Sequence, residues 1–186
     1  MATRVKAITY EESLTTPEVT CEEIVNGEVR NMAPASLKHQ LLIDFLSDTM
    51  KRQVDRRTVV FLQNYGQAIR EKPAFTYRVP DFAVFLRTTM VRKDEYYLWS
   101  PPGLLVEVIS RTYRRKNLEE LLSDYEAIAL PELWALDMDE RAVRRFRLRD
   151  ARLGEIASIL RGTVAPLRFP NVTVDVDELW RTLDED

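Results

Sequence analysis

The chain has 186 residues, 45% of them apolar and 31% charged, which suits a folded domain with a real core and excludes a disordered chain. A net charge of −3 excludes a globally basic nucleic-acid binder, so contacts to DNA must use local patches. One cysteine, Cys21, and one histidine, His39, exclude an internal disulfide, a cysteine-rich zinc site and any multi-histidine metal centre.

There is no signal-peptide pattern and no apolar run of about 20 residues, so the expectation is one soluble cytoplasmic domain spanning 1–186, with no membrane contact. In chain order, YEESLTT (10–16) predicts a short helix. CEEIVNGEVRNM (21–32) predicts a hairpin around Asn26-Gly27, the strongest short turn signal. Ser36 can N-cap a helix ending near Val54, whose Leu37, Leu41, Leu42, Phe45, Leu46 and Met50 follow helical spacing. TVVFLQNYGQAI (58–69) and VPDFAVFL (79–86) read as strands, with a turn at EKPAF (71–75) between them.

Residues 87–102 read as a long loop with one helical turn, and GLLVEVIS (103–110) as a strand. Asn117 can cap a following helix with an apolar stripe at Leu118, Leu121, Leu122 and Tyr125. LPELWALD (130–137) reads as a strand that pairs with AVRRFRLR (142–149) across a turn at 138–140. The C-terminal third alternates weakly, and VDELWRTL (176–183) predicts a last helical turn. Strand 103–110, helix 117–129 and strand 132–137 form a βαβ unit, expected to be parallel. With hairpins supplying the rest, the expected class is α/β: a mixed sheet flanked by helices, with an N-terminal hairpin.

Two acids stand out. Asp81 follows Pro80 at the head of an apolar strand, and Glu107 sits within the next one. Two carboxylates on neighbouring strands in apolar frames repel each other unless a divalent cation bridges them. Hard oxygen ligands select magnesium (Mg2+) or manganese (Mn2+), which sit beside phosphate substrates. The plainer reading makes Asp81 a strand terminator and turns Glu107 to solvent, its neighbours facing the core. For Glu107 that reading is the weaker, because Leu104, Leu105, Val106, Val108 and Ile109 show no polar alternation.

VPDF, then VEVIS followed by a helix, then LPELWALD, resembles the Uma-two family of restriction-endonuclease-like proteins, whose superfamily signature is PD…(D/E)xK. EEIVNGEVRNMAPAS with the helix carrying His39 is similar to the family's N-terminal block. LRFPNVTVDVDELW is similar to its C-terminal block, with Asn171 where glycine is usual. The resemblance implies a restriction-endonuclease-like fold and a Mg2+- or Mn2+-dependent endonuclease acting on DNA, with a homodimer as one arrangement it allows. It implies Asp81 and Glu107 as metal-binding acids and the Ile109 carbonyl as a further ligand. Glu23 and His39 would lie at the pocket edge, Glu23 orienting a metal water and His39 positioning a water or phosphate oxygen. Read alone, His39 is a solvent-facing or interface residue and Glu23 a half-exposed strand residue.

The chain departs from the family in EVISRTYRRKNLEELLSDY (107–125), where the family pattern resembles EVLSPSTRRxDLxxKLxxY. Asn117 stands for the aspartate and Leu121 for the active-site lysine. The two are four residues apart, on the helix face expected to look toward Glu107. Lys38, Arg111, Arg114 and Lys116 are candidate substitute cations, although RTYRRK reads first as a solvated loop. Losing one well-placed electrostatic group commonly costs 10²–10³ in rate, so an impaired nuclease is expected. Two other readings stand beside it. One is an inactive nuclease fold that binds nucleic acid or a protein partner; the other is a structural site in which Glu107 pairs with Arg111 or Arg114. Arginines in 141–152 and KRQVDRR (51–57) form basic patches that can touch phosphates, though interspersed acids favour a plain surface reading.

Overall fold

Where the sequence predicts one mixed sheet, the strands divide into two larger ones. The structure, a computed structural model, describes residues 7–15, 22–32, 34–110 and 115–184. The chain opens with helix α1 (Tyr10–Thr15) and the hairpin of strands β1 (Glu22–Val25) and β2 (Glu28–Asn31). Its turn residues Asn26 and Gly27 take φ of 55° and 79°, the left-handed pair that a two-residue hairpin requires. A Cβ on Gly27 would also come within 2.6 Å of Ala7 Cβ, so glycine is needed there twice over.

Helix α2 (Leu37–Lys51) is capped by Ser36, whose hydroxyl accepts from His39 N–H at 3.3 Å. It ends three residues before the expected Val54. The run expected as one strand at 58–69 breaks at Asn64, where φ is 49°, into β3 (Val59–Leu62) and β4 (Gly66–Arg70). These two join different sheets, so the break redirects the chain from one layer to the other. Strand β5 (Thr76–Arg78) returns along β4, and β6 (Phe82–Leu86) begins only after Pro80 and Asp81. The expected loop at 87–102 holds one 3-10 turn at 87–89 and a two-residue strand, β7 (Tyr97–Leu98).

Strand β8 (Leu104–Ile109), helix α3 (Arg115–Ala127) and β9 (Glu132–Asp137) form the expected βαβ unit, with β8 and β9 parallel. The helix begins two residues before Asn117, which is therefore inside it rather than its cap. Strand β10 (Ala142–Arg149) pairs antiparallel with β9 as predicted. The weakly alternating segment after it is a full strand, β11 (Arg152–Ile159), bulged against β10 at the sheet edge. A two-stranded ribbon of β12 (Thr163–Val164) and β13 (Val174–Asp175) leads to α4 (Val176–Arg181).

The sheet orders are β2-β1-β5-β4-β7 and β11-β10-β9-β8-β6-β3. All six residues of β8 are buried because both its faces are covered. Leu104, Val106 and Val108 pack with Leu42 and Leu46 of α2 and Leu179 of α4. Leu105 and Ile109 pack on the other face with Leu118, Leu121 and Tyr125 of α3. Glu107 belongs to that second face by alternation, which points it beneath α3. Among the described residues, no helix is long and apolar enough to cross a membrane.

Candidate active site

The register of β6 on β8 brings the two acids together. Phe82 pairs with Val106 and Ala83 with Leu105, so one further step along the antiparallel ladder sets Asp81 opposite Glu107. Directly opposed residues share a face with Cβ atoms about 5 Å apart. Pro80 has no N–H for the ladder, and its carbonyl accepts from Asn64 N–H at 3.2 Å. Asp81 Oδ2 takes the adjacent donor instead, accepting from Val108 N–H at 2.7 Å. The strand-terminating reading of Asp81 and its place beside Glu107 are thus compatible.

Glu107 does not face solvent; it is 7% exposed. The buried Tyr125 hydroxyl donates to its Oε1 at 2.5 Å. Burial first, and the charge of Asp81 second, push the Glu107 carboxyl well above the ordinary range. The Tyr125 phenol is pushed up in turn by burial and by Glu107. Tyr65 is raised for the same two reasons.

His39 lies one helical turn before the buried Leu42 and Ile43, on the inward face of α2. Its Nε2 is 3.0 Å from Asp81 Oδ1, so this side chain is engaged with the acid rather than free in solvent. Glu23 is buried on β1, its Oε1 accepting from Val79 N–H at 3.0 Å. The Ile109 carbonyl accepts from Met138 N–H at 3.0 Å, which leaves it one lone pair.

Sequence reasoning passed over Arg78 and treated Tyr125 as apolar. Arg78 is 3% exposed at the end of β5. Its NH1 donates to Glu23 Oε2 at 2.7 Å, and its NH2 to Glu120 Oε1 and Asp124 Oδ2, both at 2.6 Å. Burial opposes the charge, but Glu23 and Asp124 hold the guanidinium in its charged form. Two signals were available: Arg78 is a lone cation in the extended run before Pro80, and Glu120 and Asp124 are one turn apart on a single helix face.

Leu121 is 2% exposed in the apolar cluster with Leu105, Ile109 and Tyr125, so it does face the side of β8 that carries Glu107. Of the other candidate cations, Arg111 and Arg114 lie outside the described residues, as does the side chain of Lys116; the side chain of Asn117 lies outside them as well. The proposed pairing of Glu107 with Arg111 or Arg114 lies outside them too. The basic patch on β10 and β11 is largely paired. Arg144 meets Glu155 at 2.6 Å, Arg145 meets the fully buried Glu132 at 2.6 Å, and Arg152 meets Glu126 at 3.0 Å.

Among the described residues, no three His, Cys, Asp or Glu side chains converge into a ready-made metal cage. A magnesium-type ion does not require one, because it takes one or two carboxylates and completes its shell with waters and substrate phosphates. The donor set fits that ion: two opposed carboxylates, hard oxygens throughout, and a mutual repulsion that a divalent cation would relieve.

The family model described as "Putative restriction endonuclease" (Uma2) matches residues 9–177. Among solved structures, the chain is similar to "a putative nuclease belonging to DUF820" from Anabaena variabilis ATCC 29413. That match has a TM-score of 0.77 at 17% identity and covers 95% of this chain and 99% of that one, a likeness of fold. No curated protein matches the chain. The family match, over nearly the whole length of the chain, places it in the Uma2 family described as "Putative restriction endonuclease".

Proposed function

We propose that the protein is a metal-dependent endonuclease that hydrolyses phosphodiesters, with DNA as its substrate. The observation that carries this reading is the opposition of Asp81 and Glu107 across β6 and β8, where burial and the charge of Asp81 push the Glu107 carboxyl up. Two ionised carboxylates do not share such an interior without a cation. Asp81 and Glu107 would hold Mg2+ or Mn2+, with the Ile109 carbonyl as a third donor. When bound, the ion supplies Lewis-acid stabilisation of phosphate charge and a water of lowered pKa.

The protein's own groups have separate parts. Val108 N–H and His39 fix the two oxygens of Asp81. Tyr125 fixes one oxygen of Glu107 and keeps it from rotating away. His39 presents its imidazole at the pocket edge, where it can position a water or a phosphate oxygen. Glu23 is held close by and can orient a water. No amine is supplied at Leu121, so turnover is expected to fall on the order of 10²–10³ below that of a site with the lysine.

Titration calorimetry with MnCl2, together with a Mg2+- or Mn2+-supplemented nuclease assay on single- and double-stranded DNA, tests this reading. Wild type is expected to bind the ion and cut, and Glu107→Ala and Asp81→Ala to do neither. Wild type that binds no ion would end the catalytic reading. The burial of Leu121 among apolar side chains favours a second reading, an inactive nuclease fold that binds nucleic acid or a protein. Ion binding without cleavage by wild type would select it.

A further inference from the structure

The family resemblance gives Arg78 no role, yet the fold builds a buried charge network around it. The β1–β5 register pairs Ile24 with Tyr77, so the next step sets Glu23 directly opposite Arg78. Three residues on, the chain reaches Asp81, which the β6–β8 register sets opposite Glu107. One short segment, 78–81, therefore carries a cation that engages a neighbouring acid and an acid that faces another. Glu23 is gripped at both oxygens, Oε2 by Arg78 NH1 and Oε1 by Val79 N–H. The same guanidinium is locked from behind by α3, where Asp124 accepts from its Nε at 2.8 Å and Glu120 from its NH2.

A buried ion network of this kind is poor evidence for stability, since apolar replacements often match it. What a planar guanidinium adds is direction, because its fork fixes a carboxylate in a way a point charge does not. The gripped carboxylate borders the site, because the Val79 N–H that Glu23 Oε1 accepts from at 3.0 Å lies two residues before Asp81.

We propose that Arg78 is a positioning residue of the nuclease site, acting by holding the Glu23 carboxylate at the edge of the Asp81–Glu107 pair. This rests on the metal-dependent nuclease reading. Outer groups that orient a metal site typically contribute 10–100-fold in affinity or activity. Because Arg78 acts through Glu23, the effects of changing the two must overlap.

The test is a double-mutant cycle of Arg78→Lys and Glu23→Gln, read as Mn2+ affinity by calorimetry and as kcat and KM on DNA, with melting temperature alongside. Each single variant is expected to lose about 10-fold or more in Mn2+ affinity and kcat, with the double variant no worse than the poorer single one. Losses that multiply in the double variant, or melting temperatures that fall while Mn2+ affinity stays at the wild-type value, overturn the proposal. Should Arg78→Lys fail to fold, Glu23→Asp keeps the charge and withdraws the carboxylate from the fork. It is expected to show the same loss, and wild-type affinity and turnover in it would also overturn the proposal. Wild type that neither binds Mn2+ nor cuts removes the nuclease reading and this inference together. Wild type that does both, with multiplying variants, removes only the role of Arg78.

Discussion

Tyr125 donates its hydroxyl to Glu107 from one helix above it, at 2.5 Å, and both side chains are buried. The helix that follows β8 thus folds back to satisfy the acid that β8 carries, the two residues being 18 positions apart in the chain. Tyr125→Phe would leave a buried carboxyl without this donor, at a cost of about 1–3 kcal/mol. Urea unfolding should show the midpoint falling with the slope unchanged. A midpoint equal to wild type would mean that Glu107 finds another partner.

Leu121→Lys restores the amine that the family resemblance calls for, but it places an ammonium where Leu121 is 2% exposed among apolar side chains. A buried charge is costly unless it is paired. The metal-free variant should therefore melt below wild type while its Mn2+-supported cleavage rises, by up to about 10²-fold. Equal cleavage by the two proteins would show that the site is not impaired by its leucine.

Tyr10 donates to Asp94 at 2.7 Å, and the pair ties α1 to the loop before β7. Burial pushes Asp94 up, but hydrogen bonds from Tyr10 and from the Tyr97 and Tyr96 N–H groups outweigh it and leave its pKa lowered. A depressed carboxyl stabilises the fold above its unfolded pKa, and that stability is lost as pH falls through the folded value. The hydrogen bond to Asp94, then burial, raise Tyr10 to about 12. Its share is fully present below the unfolded phenol pKa and is lost as pH rises through about 12. Tyr10→Phe should therefore lower the melting temperature most near neutral pH, with the gap narrowing in strong acid and strong base. A gap independent of pH would refute the linkage.

The arginines of β10 should separate by burial. Arg145 pairs with Glu132, which is fully buried and also accepts from Trp134 Nε1 and Leu167 N–H. Arg145→Met strands that charge and should cost about 3–5 kcal/mol. Arg147→Ala, on an exposed side chain, should stay within about 0.5 kcal/mol. If the β10 patch is plain surface, Arg147→Ala also leaves DNA affinity and its salt dependence unchanged. A reduced salt slope in a binding titration would instead mark a phosphate contact.

Much of this protein is written locally in its residues. The Asn26-Gly27 hairpin, the Ser36 cap, the βαβ unit and the β9–β10 pair all rest on near-neighbour signals of turn chemistry and periodicity, and each forms. The unbroken apolar frame of β8 already marks Glu107 as the acid to explain. What the sequence leaves open depends on distant pairings. Asn64 sends β3 and β4 into different sheets, which no short-range period encodes. β11 forms because β10 offers it an edge, not because its own pattern is strong. Arg78 meets Glu23, Glu120 and Asp124 across 42 to 55 residues of chain. Residue type and spacing determine which acids can form a site; only the tertiary register, by closing those long loops, decides which charges stand beside them.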